Sequence, residues 1–198
     1  MEAISVVILS GGKSSRMGKP KARLKIRNQT FVEYLADHLS AADEILFSVR
    51  SFEEFPEIPL KHIPDFYPGC GPLAGIHSAL IHSRNPWTFI VACDSPFVSW
   101  DTVKTLYSYR SVPSSKEGTE TYDAIIPIEE DGRLHATCGL YHKRMLPLIE
   151  SLLEREAYRL RRALELGHTF YLPVNRFKDF EKIFCNINTM DDYKEVCR

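Results

Sequence analysis

Short apolar runs recur along the first 110 residues at 4–9, 44–49 and 88–93. Each run is brief, rich in β-branched or aromatic side chains and bounded by polar residues. Such runs are typical of strands that are covered on both faces. The pattern therefore predicts three buried strands in this part of the chain.

Helical periodicity lies between these strands. Thr30-Phe-Val-Glu33 has the pattern of a capping box, and the apolar residues Phe31, Leu35 and Leu39 then repeat at helical spacing. Further helices are predicted over 73–83, just after Pro72, and over about 99–110. Strands and helices therefore alternate through the first half.

The second half is less regular. A polar stretch over 112–121 predicts a surface loop, and a strand follows over 123–128. Asp131-Gly132 indicates a hairpin turn that leads into a strand ending at Tyr141. Apolar faces predict helices over 145–153 and over 158–166, the latter ended by Gly167, and a short helix is predicted from Thr189 onwards.

The order of elements predicts a single-domain, Rossmann-like, three-layer α/β/α fold with a mostly parallel sheet. In such sheets, ligands bind beyond the carboxyl ends of the strands. Ser10-Gly11-Gly12 and Asp94 both follow predicted strands directly. We therefore expect them to face one crevice.

Composition narrows the class of protein. The chain has 198 residues with 44% hydrophobic side chains, which is consistent with one domain over 1–198. Its 25 basic and 26 acidic residues balance, so overall charge gives no reason to expect nucleic-acid or membrane binding. The five cysteines have no metal-ligand spacing, and no apolar stretch reaches the length of a membrane helix. The first residues have no signal-sequence pattern, and we expect a cytoplasmic protein.

Basic residues cluster over 13–27, a segment without acids that follows the two adjacent glycines. The spacing fits neither the P-loop nor the GxGxxG dinucleotide pattern. Adjacent glycines nevertheless expose backbone N–H groups to an anion. Arg16 offers a bidentate fork to phosphate oxygens, and Lys21 offers a mobile point charge. Solvated surface charge is the alternative for both side chains.

The motif from Leu9 to Lys21, LSGGKSSRMGKPK, resembles the signature of nucleotidyltransferases that activate a substrate with a nucleoside triphosphate. Three later stretches resemble the molybdenum cofactor guanylyltransferase branch: DFYPGCGPLAGI at 65–76, ACDSP at 92–96 and NINT at 186–189. The resemblance covers nearly the whole chain in order. It implies a nucleotide-diphospho-sugar-transferase-like fold.

The resemblance also implies a reaction, in which GTP and a molybdenum-pterin phosphate give the guanine dinucleotide cofactor and pyrophosphate with Mg²⁺. It implies catalytic roles for Arg16, Lys21 and Asp94, with Asp94 holding the metal. The implied GTP-binding residues are Leu9, Ser10, Gly11, Gly12, Lys21, Asp65, Gly71, Pro72, Leu73 and Asp94. Relatives often place Asn at the end of the second strand, where this chain has Ser48, and no role is assigned to Ser48.

The acceptor is expected to bind the second part of the chain, about 111–198, and the nucleotide the first part, about 1–110. The available donors for a pterin phosphate are His135, Arg161, Asn186 and Asn188. The two asparagines alternate along a predicted strand end, so both side chains would share a face. Cofactor-delivery proteins and molybdoenzyme chaperones are expected as transient partners.

Alternatives remain for several of these residues and for the function. Asp94 and Asp65 also suit turn or cap positions, His135 a surface position, Arg161 a helix face and the asparagines a cap. A sister enzyme would use CTP or UTP with a pterin, sugar or polyol phosphate. A nucleotide-binding regulatory protein would have lost the metal aspartate or the phosphate lysine, but Asp94 and Lys21 are both present.

Overall fold

The structure is a computed structural model, and it describes residues 3–10, 20–113 and 119–196. Its strands are β1 (Ile4–Leu9), β2 (Lys25–Ile26), β3 (Gln29–Thr30), β4 (Glu44–Val49), β5 (Lys61–Pro64), β6 (Trp87–Ala92), β7 (Ser111–Pro113), β8 (Thr119–Thr121), β9 (Ala124–Ile128), β10 (Cys138–His142) and β11 (Thr169–Pro173). Its helices are α1 (Phe31–His38), α2 (Pro72–His82), α3 (Trp100–Ser108), α4 (Leu146–Glu154), α5 (Leu160–Leu166), α6 (Phe180–Ile183) and α7 (Met190–Val196).

The central sheet of the described part of the chain has seven strands in the order β11-β9-β10-β6-β1-β4-β5. The pairs β6–β1, β1–β4, β4–β5 and β11–β9 are parallel, whereas β10 is antiparallel to both β6 and β9. Strands from both predicted parts of the chain therefore belong to one mostly parallel sheet. β1 and β6 lie at its centre, and all their residues are buried.

Alternate residues of the central strands contact opposite helical layers, as the two-residue period of a strand requires. Val6 and Ile8 pack into a core with Val32 and Leu35 of α1 and with apolar residues of α3. Val7 and Leu9 pack on the other face, in a core formed by α2, α4 and α5. The predicted three-layer α/β/α architecture is confirmed.

The amino end of α1 has the predicted capping box. The Thr30 hydroxyl accepts a hydrogen bond from the Glu33 backbone N–H at 3.2 Å, and the Glu33 carboxylate accepts one from the Thr30 backbone N–H at 2.7 Å. These bonds satisfy two N–H groups that the first helical turn leaves without intrahelical partners. The capping box therefore defines where α1 begins.

Replacing Thr30 with Ala should lower the free energy of unfolding by about 1 kcal/mol, the usual cost of removing such a cap. Urea denaturation followed by circular dichroism measures this change. Thr30→Ser is the matched control, because it keeps the hydroxyl and should retain most of the stability. Equal losses in both variants would show that the buried methyl group of Thr30, and not its hydroxyl, stabilises the helix start.

The structure corrects two expectations. The stretch 112–121 is not simply a loop, because β7 and β8 pair as an antiparallel hairpin on either side of residues 114–118, which lie outside the described residues. Asn186 and Asn188 do not lie on a strand, since the backbone between α6 and α7 is irregular there. In addition, β5 and β11 form strands that the apolar pattern did not predict, because both are short and only partly buried edge strands.

Candidate active site

A cavity of about 520 Å³ opens at the carboxyl edge of the sheet. The neighbouring strands β6, β1, β4 and β5 each supply a residue to its wall at or just after their carboxyl ends: Asp94, Ser10, Arg50 and Asp65 respectively. The size suits a small-molecule ligand, and the position is the usual ligand site of an open α/β sheet. Leu9, Ser10 and Asp94, which the sequence predicts as nucleotide contacts, thus share one cavity.

Backbone hydrogen bonds hold this edge of the sheet together beyond the strands themselves. The Ser10 N–H donates to the Ser48 carbonyl at 3.0 Å, and the Cys93 N–H donates to the Leu9 carbonyl at 3.0 Å. The Ala92 N–H donates at 2.8 Å to the carbonyl of Thr137, a residue that lines the cavity just before β10. The residues that line the cavity therefore stand on a rigid edge.

Lys21 and Asp94 form an ion pair at one end of the cavity. The Lys21 ammonium lies 2.8 Å from an Asp94 carboxylate oxygen, and the two side chains are only 14% and 19% exposed. Asp94 directly follows the buried part of β6, while Lys21 begins a short helical turn over Lys21–Arg23. Because the pair is largely shielded from solvent, the attraction between its two charges is only weakly screened.

The segment between α6 and α7 packs against this ion pair. The Ile187 N–H donates to the Asp94 carbonyl at 2.9 Å, and Lys21 donates to the Asn188 side-chain oxygen at 2.7 Å. The Ser95 hydroxyl donates to the Asn186 side-chain oxygen at 2.6 Å, and Asn186 also lines the cavity. The structure thus brings the two predicted acceptor asparagines to the predicted phosphate lysine and metal aspartate.

Asp65 lies at the opposite end of the cavity, beyond β5. The Ser48 hydroxyl donates to its carboxylate at 3.3 Å. Burial raises the pKa of the Asp65 carboxyl above its usual value, and the hydrogen bond from Ser48 and the positive charge of Arg50 oppose this shift. Asp65 is therefore a half-buried hydrogen-bond acceptor. Its charged form lowers the free energy of unfolding, because burial disfavours the charge.

Asp65→Asn should stabilise the protein at neutral pH. The raised pKa means that the charged carboxylate disfavours folding above the ordinary Asp pKa of about 3.9, whereas below it both states are protonated. The gain in melting temperature should therefore be largest near pH 7 and vanish near pH 3. Thermal unfolding at both pH values measures the change in melting temperature. Asp101→Asn, at an exposed position of α3, is the control. A variant less stable than the parent at pH 7 would contradict the net cost assigned to Asp65.

The loop before α2 depends on two glycines with positive φ. Gly69 has φ of 88° and Gly71 has φ of 71°, a region that residues with a Cβ rarely adopt. Gly71 and Pro72 line the cavity, as predicted for nucleotide contacts, but the Leu73 side chain is wholly buried in the core. The loop therefore presents backbone to the cavity, and Leu73 would contribute through its main chain.

The other predicted acceptor residues lie in different surroundings. The His135 imidazole is buried, 2.8 Å from a Glu129 carboxylate oxygen, and its ring centroid is 4.6 Å from that of Phe184. Burial lowers the pKa of His135, while Glu129 opposes the shift. Arg161 is exposed on α5 and pairs with Glu165 at 3.2 Å. Acceptor binding by either residue stays a prediction.

Three predicted residues, Gly11, Gly12 and Arg16, lie outside the described residues. Within residues 3–10, 20–113 and 119–196, no cluster of three or more His, Cys, Asp or Glu side chains suits a metal ion. Over the same ranges, no helix combines the length and apolarity needed to cross a membrane.

Arg50 and Ser95 contribute to the site without having been predicted. Arg50 lines the cavity directly after β4, so the strand-end rule that identified Asp94 also applies to it. Ser95 carried no comparable signal, because its partner Asn186 lies far along the chain. Only the fold shows that contact.

Comparison with known proteins shows the family of the chain. A family model described as a MobA-like NTP transferase domain matches residues 6–170. A probable molybdenum cofactor guanylyltransferase of Clostridium perfringens is 35% identical, over 98% of this chain and 96% of its own length. The crystal structure of molybdopterin-guanine dinucleotide biosynthesis protein A from Archaeoglobus fulgidus has a TM-score of 0.79 and 26% identity, over 97% of this chain and 96% of its own. That of 2-C-methyl-D-erythritol 4-phosphate cytidylyltransferase from Thermus thermophilus shares the fold, with a TM-score of 0.67 and 17% identity, over 99% and 98% of the two chains.

Proposed function

Since the chain belongs to the MobA-like NTP transferase domain family, we propose that it transfers GMP from GTP to the phosphate of the molybdenum-pterin cofactor. The products are the guanine dinucleotide cofactor and pyrophosphate. The observation that carries the proposal is the shielded Lys21–Asp94 pair at one end of a nucleotide-sized cavity. The near full-length similarity to proteins named as guanylyltransferases supports guanine as the base.

In this reaction an oxygen of the acceptor phosphate forms a bond to the α-phosphorus of GTP, and the bond from that phosphorus to the bridging oxygen of pyrophosphate breaks. Two anions must meet, so catalysis depends on positioning and on neutralising charge rather than on a protein nucleophile. Lys21 supplies a fixed positive charge at the end where the phosphates would lie. Leu9 and Ser10 form the adjacent wall of the cavity.

The described residues suit Mg²⁺ as the metal. Mg²⁺ prefers oxygen ligands and is commonly held by one or two carboxylates together with substrate phosphates, rather than by a full protein cage. Asp94 offers such a carboxylate at the phosphate end of the cavity and would hold the ion. When bound, Mg²⁺ supplies further positive charge to the phosphate oxygens. Lys21 keeps the Asp94 carboxylate oriented through their 2.8 Å contact.

The acceptor is proposed to enter from the side of the cavity formed by Thr137 and Asn186. Both residues lie near Asp94, and Asn188 contacts Lys21, so a phosphate held there would be close to the α-phosphorus. His135 and Arg161 remain proposed contacts for the rest of the pterin. Transient binding to cofactor-delivery proteins and molybdoenzyme chaperones, and a cytoplasmic location, complete the proposal.

Titration calorimetry with GTP, CTP, UTP and ATP, each with Mg²⁺, tests the nucleotide half of this function. Selective binding of GTP is expected. A preference for CTP or UTP would instead favour the sister activity, for which the cytidylyltransferase of the same fold is the structural precedent. The absence of binding by all four nucleotides would contradict the assignment of the cavity.

A further inference from the structure

The cavity has two chemically different ends. Asp94 and Asp65 follow strands β6 and β5, which are separated by β1 and β4. Neighbouring strands lie about 4.8 Å apart, so the two ends are separated by roughly 14 Å. Lys21 lies at the Asp94 end, where the phosphates are proposed to bind. The base of the same nucleotide must then lie toward β4 and β5.

The β4–β5 end carries one acceptor group and one cation on the same wall. Asp65 is held by the Ser48 hydroxyl, and Arg50 lies close enough for its charge to act on the Asp65 carboxyl. Arg50 and Asp65 thus place a donor and an acceptor at the same end of the cavity.

Guanine presents the matching pattern. Its N1–H and 2-amino groups are adjacent donors that one carboxylate can bind together, and its O6 and N7 atoms are acceptors that an arginine can bind in bidentate fashion. Adenine and cytosine each present an amino donor where guanine has the O6 acceptor. Each also presents an unprotonated ring nitrogen, which is an acceptor, where guanine has the N1–H donor. A wall with Asp65 beside Arg50 therefore discriminates in favour of guanine.

We infer that Arg50 is a specificity-determining residue that donates to the O6 and N7 edge of the guanine base, beside Asp65. This inference rests on the proposed function and adds to it a residue that reads the base. Arg50 contacts the base and takes no part in the chemical step.

Glu54 positions Arg50 for this role. One terminal nitrogen of the Arg50 guanidinium lies 2.7 Å from a Glu54 carboxylate oxygen. A guanidinium has five N–H donors, so this contact leaves others for a ligand. The Arg50 side chain is 58% exposed, which places it at the open side of the cavity where a base can reach it.

The test compares GTP with 7-deaza-GTP, an analogue in which a C–H group replaces the N7 acceptor. Dissociation constants of both nucleotides are measured with Mg²⁺ for the full-length parent protein and for Arg50→Gln. The parent should bind 7-deaza-GTP roughly 5- to 50-fold more weakly than GTP, within the range of a specific base contact. In Arg50→Gln the two nucleotides should bind almost equally, because a shorter, uncharged amide replaces the guanidinium fork.

Two further variants keep the result interpretable. Arg50→Lys retains the charge and an N–H donor without the planar fork, so it should keep only part of the discrimination. Arg144→Gln removes an exposed arginine that pairs with Asp123 near the start of β9, four strands away from β4 in the sheet, and should keep the parental ratio.

An unchanged ratio of the two constants in Arg50→Gln would overturn the inference. A uniform loss of affinity for GTP, ATP and CTP would also overturn it, because Arg50 would then act on the ribose or the phosphates. In both cases GTP binding by the parent would leave the proposed function intact. Failure of the parent to bind GTP would reject the proposed function and the inference together.

Discussion

Asp94→Asn is expected to lower GMP transfer by at least roughly 100-fold while leaving the fold intact. The substitution keeps the size of the side chain but removes the carboxylate charge that would hold Mg²⁺ at the phosphate end of the cavity, and metal stabilisation of phosphoryl transfer contributes several kcal/mol. The amide can still meet Lys21 through its oxygen, so the local structure should survive. The measurement is the rate of pyrophosphate release with saturating GTP and acceptor, together with circular dichroism.

Asp101→Asn is the matched control for this experiment. Asp101 is 83% exposed on α3 and pairs with Lys104, so the same chemical change there should leave the rate near that of the parent. Near-parental activity of Asp94→Asn over a range of Mg²⁺ concentrations would remove Asp94 from the metal role.

Lys21→Ala is expected to weaken GTP binding by roughly 10- to 100-fold, since hydrogen bonds to charged groups contribute about 1.5–3 kcal/mol. The Lys21 side chain is only 14% exposed, so its charge is less screened than that of a surface lysine. Calorimetry with GTP and GDP measures the effect. The loss of affinity should be larger for GTP, because Lys21 is expected to contact the phosphate that GDP lacks.

The companion control is Lys104→Ala, which removes an exposed lysine from α3 and should leave GTP affinity unchanged. If Lys21→Ala also binds GTP with parental affinity, Lys21 does not contact the triphosphate. Its contacts with Asp94 and Asn188 would then serve only to hold the two parts of the chain together.

The sequence predicted the centre of the fold well because the central strands are buried on both faces. The predicted strands at 4–9 and 44–49 agree with β1 and β4, and the capping box at Thr30 marks the start of α1. The edge strands β5 and β11 escaped prediction because their partly buried residues lack a continuous apolar run. Pairing with neighbouring strands, which is not visible in the local sequence, defines them.

The candidate site was only partly predictable for a related reason. Ser10 and Asp94 follow predicted strands, so a rule about strand ends brings them to one cavity. Asp65 follows β5, which was not predicted, and was expected at the site from the family resemblance. The contact of Lys21 with Asn188 joins residues at opposite ends of the chain, and a tertiary contact of this kind leaves no periodic signal. Asn186 and Asn188 were assigned to the acceptor on a predicted strand that does not exist, yet the irregular backbone still places both beside the Asp94 turn.

Guanylyl transfer itself is measured in a turnover assay with GTP labelled at the α-phosphate, purified molybdenum-pterin cofactor and Mg²⁺. We expect the label to appear in the guanine dinucleotide cofactor, with one pyrophosphate released for each dinucleotide formed, and we expect Asp94→Asn to do neither. Transfer of the label from CTP but not from GTP, or no transfer from GTP to this acceptor by protein that binds GTP, would contradict guanylyl transfer as the function.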